Sequence, residues 1–258
     1  MAFTIALLIY RTYRIKSKTH KIVDKQKNEI EHLLLNILPK EVAHELQRSG
    51  RATPKQYENV SVMFTDFQAF TVLADHMAPD ELVAELDTYF IAFDAIIEKY
   101  KLEKIKTIGD SYMCAGGIPV SDEIHVLNIV KAGLEIQECI AQQNNTRLQN
   151  GLKPWVARIG IHVGPVIAGV VGKKKYAYDI WGSTVNIASR MESNGEPGRV
   201  NISRAVYETI KDHYECTPRG KISTKNLGDI EMYFIEYKPN GTMILKIPEE
   251  LVASQESQ

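Results

Sequence analysis

The stretch KIKTIGDSYM, Lys104–Met113, sets two short strand-like runs on either side of a Gly109–Asp110 turn. LEKIKTI before the turn and SYMCAGGI after it read as the two strands of one hairpin. Apolar residues flank Lys106 and Asp110, so both charges belong at the rim of a packed sheet, where a charge needs a partner. Either this lysine serves this aspartate, or each serves something else.

The order of elements around the hairpin fixes the fold class. VSVMFTDF upstream reads as a strand. PDELVAELDTYFIAFDAIIEKY follows as a long helix, with Leu82, Leu86, Tyr89, Phe90, Phe93 and Ile97 along one stripe. Beyond the hairpin come a second helix, HVLNIVKAGLEIQECIAQQ, and a further strand, VARIGIHVG. The order β-α-β-β-α-β is the split βαβ arrangement of a ferredoxin-like sheet. The expected class is thus α+β: a βαββαβ core, with additional C-terminal strands and helices between VIAGVVG and IEMYFIEY. A helical, weakly coiled-coil-like segment precedes it, with Ile15, Ile22, Ile30, Leu33 and Ile37 near heptad spacing but polar residues in the intervening slots.

Bulk properties narrow the function classes. The chain has 258 residues, 44% of them hydrophobic, enough for one large domain and an appendage. A formal net charge of -1 gives no support to a general nucleic-acid binder. Cys114, Cys139 and Cys216 are scattered without a CxxC pair, as expected of reduced thiols in a cytoplasmic setting. The seven histidines form no HExxH-like cluster, so any metal would be a hard cation held by carboxylates.

At the N-terminus AFTIALLIY is followed at once by Arg11, Arg14, Lys16 and Lys18. This run is far short of the about 20 residues that span a bilayer. Its charge also follows the apolar part, the reverse of a signal peptide. Residues 1–13 are therefore read as the end of a truncated transmembrane helix with its basic side in the cytoplasm. Residues 14–50 are a helical linker, in which LLLNILPKEVAHEL carries a proline suited to starting a helix. Residues 51–58 are a connector, 59–240 the main domain and 241–258 a C-terminal tail whose end, ASQESQ, is expected to be disordered.

Two constellations carry chemistry. Asp66 ends the first strand and Asp110 sits in the hairpin turn, so a split βαβ sheet brings both carboxylates to one edge. Close carboxylates shift each other's pKa values unless a cation lies between them; divalent ions suit this place better than two solvated loop aspartates do. In YDIWGSTVNIASRMES, Asn186 and Arg190 are four residues apart and share a helix face. An arginine fork fits phosphate oxygens, and the alternative is an ion pair from Arg190 to Glu192 or Asp179. GVVGKKKY lacks the GxxxxGK[ST] spacing of a phosphate loop and reads as a hairpin with a basic tip.

Taken together, FTDF with the following FT, KIKTIGDSYM, RIGIHVGPVIAGVVG and YDIWGSTVNIASRM resemble, in this order, the catalytic domain of class III nucleotidyl cyclases. The resemblance implies that Asp66, Asp110 and the main-chain carbonyl of Phe67 hold two divalent cations, Mg²⁺ or Mn²⁺. It implies that Lys106 and Asp179 recognise adenine, and that Phe70 and Thr71 face the triphosphate. Asn186 and Arg190 would orient the ribose and stabilise the reacting phosphate. Lys225 stands where the family grips the terminal phosphates, although the flank there reads Asn226 and Leu227 rather than glycine. Ala69 likewise stands where the family commonly has glycine. The implied function is adenylyl cyclase, with guanylyl cyclase or a catalytically silent nucleotide-sensing module as the alternatives: ATP is the expected substrate, and a homodimer with an upstream transmembrane or sensor segment the expected working form. The catalytic domain would sit on the cytoplasmic side of the membrane. In such a dimer Lys106 and Asp110 serve different nucleotides and are not each other's partner.

Overall fold

The computed structural model describes residues 2–75, 77–172, 175–224 and 228–236. Lys225 and the 241–258 tail lie outside the described residues. The chain divides into two compact units, Met1–Pro54 with Gly169–Tyr178, and Lys55–Ala168 with Asp179–Gln258.

In the first unit α1 runs unbroken from Ala2 to Leu35, and α2 covers Lys40–Ser49. Pro39 stands at the start of α2, as its fixed φ predicts, and Gly50 closes it in the left-handed conformation at φ 72°. The run expected to end a membrane span lies inside α1. No helix among the described residues is long and apolar enough to cross a membrane.

One sheet, most of it in the second unit, has the order β2-β3-β1-β4-β6-β8-β7, with β5 paired to β4 off that path. Its strands are β1 Lys55–Phe67, β2 Glu103–Ile108, β3 Ser111–Gly116, β4 Ala157–Val171, β5 Ala177–Trp181, β6 Val200–Ser203, β7 Cys216–Thr224 and β8 Gly228–Ile235. The β2-β3-β1-β4 part is the expected ferredoxin-like core, and β1 lies antiparallel between β3 and β4. β1 begins at Lys55, inside the stretch read from sequence as a connector. Between the strands run α3 Phe70–Ala74, α4 Pro79–Lys99, α5 His125–Gln149, α6 Ser183–Ser193 and α7 Arg204–Ile210.

The stripe read on α4 does face the core: Tyr89, Phe93 and Ile97 are buried, and Leu82, Leu86 and Phe90 pack against it. Trp155 is fully buried, and its main chain is held reciprocally by Asn144, whose Nδ2 donates to Trp155 O at 2.6 Å while Oδ1 accepts from Trp155 N at 2.8 Å. That satisfies a buried amide which would otherwise destabilise the fold.

One close approach fixes where α6 lies. A Cβ at Gly160 in β4 would stand 1.9 Å from the main-chain nitrogen of Glu192. Gly160→Ala must push α6 off the sheet, and we expect a loss of at least about 3 kcal/mol. A urea unfolding midpoint close to that of the parent chain would contradict this packing.

Candidate active site

Strand β1 delivers Asp66 next to its last residue, and the β2–β3 turn delivers Asp110. Gly109 makes that turn at φ 63°, a left-handed conformation that favours glycine. Ser111 Oγ then donates to Thr65 O at 2.9 Å, pinning the turn against β1 beside Asp66. Burial pushes the Asp110 carboxyl above its ordinary range, and the neighbouring Asp66 charge pushes it further. Main-chain hydrogen bonds from Asp110 itself and Phe67, and the Arg158 charge, act the other way. Asp66, Phe67 and Asp110 therefore share one corner of the sheet. The Phe67 ring anchors that corner, edge-on to Tyr89 at 5.1 Å and to Trp155 at 5.0 Å.

Two residues that sequence reasoning missed complete this corner. Arg158 lies directly across from Asp66 in the β1–β4 ladder, and its Nη2 donates to Asp66 Oδ2 at 3.0 Å. Its Nε stands 2.9 Å from Glu192 Oε1. Glu192 comes from the last turn of α6, and burial pushes its carboxyl up to about 7 while Arg158 pulls it down. Sequence spacing alone could not find this group, because the strand register that sets Arg158 opposite Asp66 is a tertiary fact.

The oxygen donors of this corner fit a hard divalent cation. Among the described residues no group of three or more His, Cys, Asp or Glu could hold a metal ion. Two carboxylates and a carbonyl match a cation that completes its shell with phosphate and water. The Arg158 guanidinium on Asp66 already stands in for a positive charge there.

The second set meets through a contact 73 residues apart in sequence: Lys106 Nζ donates to Asp179 Oδ2 at 2.6 Å. Lys106 is thus paired with Asp179 rather than Asp110. Downstream, α6 is fixed at both ends, by Thr184 Oγ1 donating to Pro165 O at 2.7 Å and by Asn201 Nδ2 donating to Met191 O at 2.7 Å. Thr184, Ala188 and Met191 face inward, which turns exposed Asn186 and partly buried Arg190 outward. Both carboxylates that could have claimed Arg190 are taken, Glu192 by Arg158 and Asp179 by Lys106. The surface ion pair weighed from sequence for Arg190 is therefore not formed with either.

The turn after β1 follows Asp66 and Phe67 directly in the chain. Ala69 holds φ 57° and ψ 26° as the residue before α3, a left-handed conformation costly for any residue with a Cβ. The Phe70 ring packs edge-on to Trp155 at 5.9 Å and Thr71 is exposed. Ala69→Gly removes the strain, offset in part by the greater freedom of glycine in the unfolded chain. We expect a net gain of about 0.5 kcal/mol, read as a higher urea midpoint; a lower midpoint would show that the turn is not strained.

Comparison with known proteins identifies the family. The family model described as "Adenylate and Guanylate cyclase catalytic domain" matches residues 52–237. The chain belongs to the class III cyclase family. The chain is 34% identical over 228 residues to an adenylate cyclase of Mycobacterium tuberculosis, covering 88% of this chain and 51% of that protein. The chain thus spans about half the length of the curated relative it matches. Among solved structures, the adenylyl cyclase CyaB from P. aeruginosa superposes with a TM-score of 0.68 at 27% identity, covering 74% of this chain and all of that one (100%). A guanylyl cyclase domain of the RhoGC fusion protein from Blastocladiella emersonii, solved in an atypical dimeric form, has a TM-score of 0.64 at 30% identity, covering 70% and 97%. Adenylyl and guanylyl cyclases both appear among the relatives, so kinship alone leaves the base unassigned.

Proposed function

We propose that this cyclase converts ATP to 3′,5′-cyclic AMP and pyrophosphate. The observation that carries the choice of base is the Lys106–Asp179 pair at 2.6 Å. It sets an ammonium donor beside a carboxylate acceptor. Adenine offers the matching pattern, a ring nitrogen that accepts and an exocyclic amine that donates. Guanine reverses both, so once it covered these side chains it would leave each facing a group of the wrong kind.

In this reading Asp66, Asp110 and the Phe67 carbonyl hold the divalent cations. When bound, these supply Lewis-acid stabilisation to the triphosphate and to the attacking hydroxyl. Asn186 orients the ribose so that its 3′-oxygen lies in line with the α-phosphorus. That oxygen forms the new P–O bond as the bond to pyrophosphate breaks, and its proton passes to water. Arg190, left without a carboxylate by Asp179 and Glu192, is available for the charge that builds on the phosphoryl oxygens. The main chain at Phe70 and Thr71 and the side chain of Lys225 are assigned to the triphosphate.

Asp66 and Asp110 would serve one nucleotide, and Lys106, Asp179, Asn186 and Arg190 the other, so a symmetric homodimer would hold two complete sites. The apolar turns of α1, with the basic residues after them, fit a tether at the inner face of a membrane. Regulation would then enter through the N-terminal helices.

The test is a competition. The purified chain is given equimolar ATP and GTP with Mn²⁺, and the cyclic products are separated. Cyclic AMP in large excess is the expected result. Cyclic GMP as the main product would overturn the base assignment, and bound nucleotide without either product would mark a silent sensor.

A further inference from the structure

Arg158 has two carboxylates and uses only one of them well. Its Nη2 is a hydrogen-bond donor to Asp66 at 3.0 Å. Its Nε lies at 2.9 Å from Glu192 Oε1, yet among the described residues both atoms are buried without an aligned hydrogen bond. Buried polar atoms left unaligned within reach of each other are costly. A small turn of the guanidinium toward Glu192 would satisfy both, at the expense of its bond to Asp66. The fold holds the second acceptor firmly: Gly160, two residues from Arg158 on the same face of β4, lets the last turn of α6 lie directly on the strand at Glu192.

We propose that Arg158 is a resident counter-ion of the aspartate pair that releases Asp66 and turns fully onto Glu192, already its ion-pair partner at 2.9 Å, when a divalent cation takes Asp66, so that Glu192 sets how readily the site accepts its metal. The proposal rests on the metal reading of Asp66 and Asp110. Electrostatics gives its logic. With Arg158 on Asp66, an arriving cation must displace a charge-assisted hydrogen bond and then sit beside the displaced charge. A buried carboxylate one short movement away reduces both costs. Glu192 is therefore a positioning residue, acting on the metal through Arg158 and not as a ligand.

The test is a double-mutant cycle on Mn²⁺ binding, followed by electron paramagnetic resonance of free Mn²⁺ without nucleotide. Arg158→Gln should tighten Mn²⁺ binding by roughly three- to tenfold, and Glu192→Gln in the parent chain should weaken it by a similar factor. The decisive arm is Glu192→Gln in the Arg158→Gln background, where its effect should fall below about twofold. An equal effect of Glu192→Gln in both backgrounds would mean simple charge removal and would overturn the proposal. So would unchanged or weaker binding in Arg158→Gln. Asp110→Ala separates the underlying reading: if it binds Mn²⁺ as the parent does, the metal assignment itself fails and the proposal with it. Circular dichroism checks each fold. If Glu192→Gln does not fold, Glu192→Asp, whose shorter arm draws the carboxylate back from Arg158, takes its place in the cycle.

Discussion

Exchanging Lys106 for glutamate and Asp179 for cysteine together is expected to lower cyclic AMP formation from ATP by at least roughly a hundredfold and to make GTP the better substrate. The first change turns a donor into an acceptor suited to the ring N–H and amine of guanine. The second removes an acceptor and leaves a small weak donor for the guanine carbonyl. The single variants should each do worse on either nucleotide than the double variant does on GTP. Lys106→Glu alone sets two carboxylates where a 2.6 Å ion pair stood, and Asp179→Cys alone leaves the ammonium facing a donor-rich base. Both side chains are partly exposed, so the fold should survive; steady-state kcat/KM for each nucleotide, with circular dichroism alongside, reads the result. Unchanged preference for ATP would mean that the base is read elsewhere.

Asp110→Ala and Arg190→Ala should each abolish most activity, for different reasons. Asp110→Ala removes half of the carboxylate pair and should lower kcat about a thousandfold or more, with no comparable effect on stability. Its carboxyl is already held above its ordinary range by burial and by Asp66, so removing it relieves repulsion within the corner. Arg190→Ala should lower kcat by roughly a hundred- to thousandfold while changing KM little, because its charge acts on the transition state. Full activity in Asp110→Ala would end the metal assignment, and a pure KM effect in Arg190→Ala would recast that residue as a binding group.

Much of this architecture was legible from local pattern. The α4 stripe, the Gly109–Asp110 turn and the apolar strands leading to Asp66 and beyond it follow from periodicity and turn chemistry, which are local. The Lys106–Asp179 contact was not legible from spacing, since 73 residues separate the partners; only the family resemblance joined them. Arg158 and Glu192 escaped both routes. A single arginine in VARIGIHVG carries no signal until the register sets it opposite Asp66, and Glu192 looked like a partner for Arg190, two residues before it, until α6 turned the two side chains apart. Ala69 was noticed as a departure from glycine, but its left-handed φ of 57° had to be seen in the turn itself.

If one chain supplies both halves of a shared site, two inactive variants with opposite halves intact must complement each other when mixed. Asp110→Ala keeps an intact base and phosphate set, and Arg190→Ala keeps an intact aspartate pair. Mixed in equal amounts and allowed to exchange, they should recover about a quarter of parental activity, since about half of the dimers are mixed and each of these holds one complete site. A mixture as inactive as its components, after exchange has been verified, would place the whole site within a single chain and rule out sites shared between two.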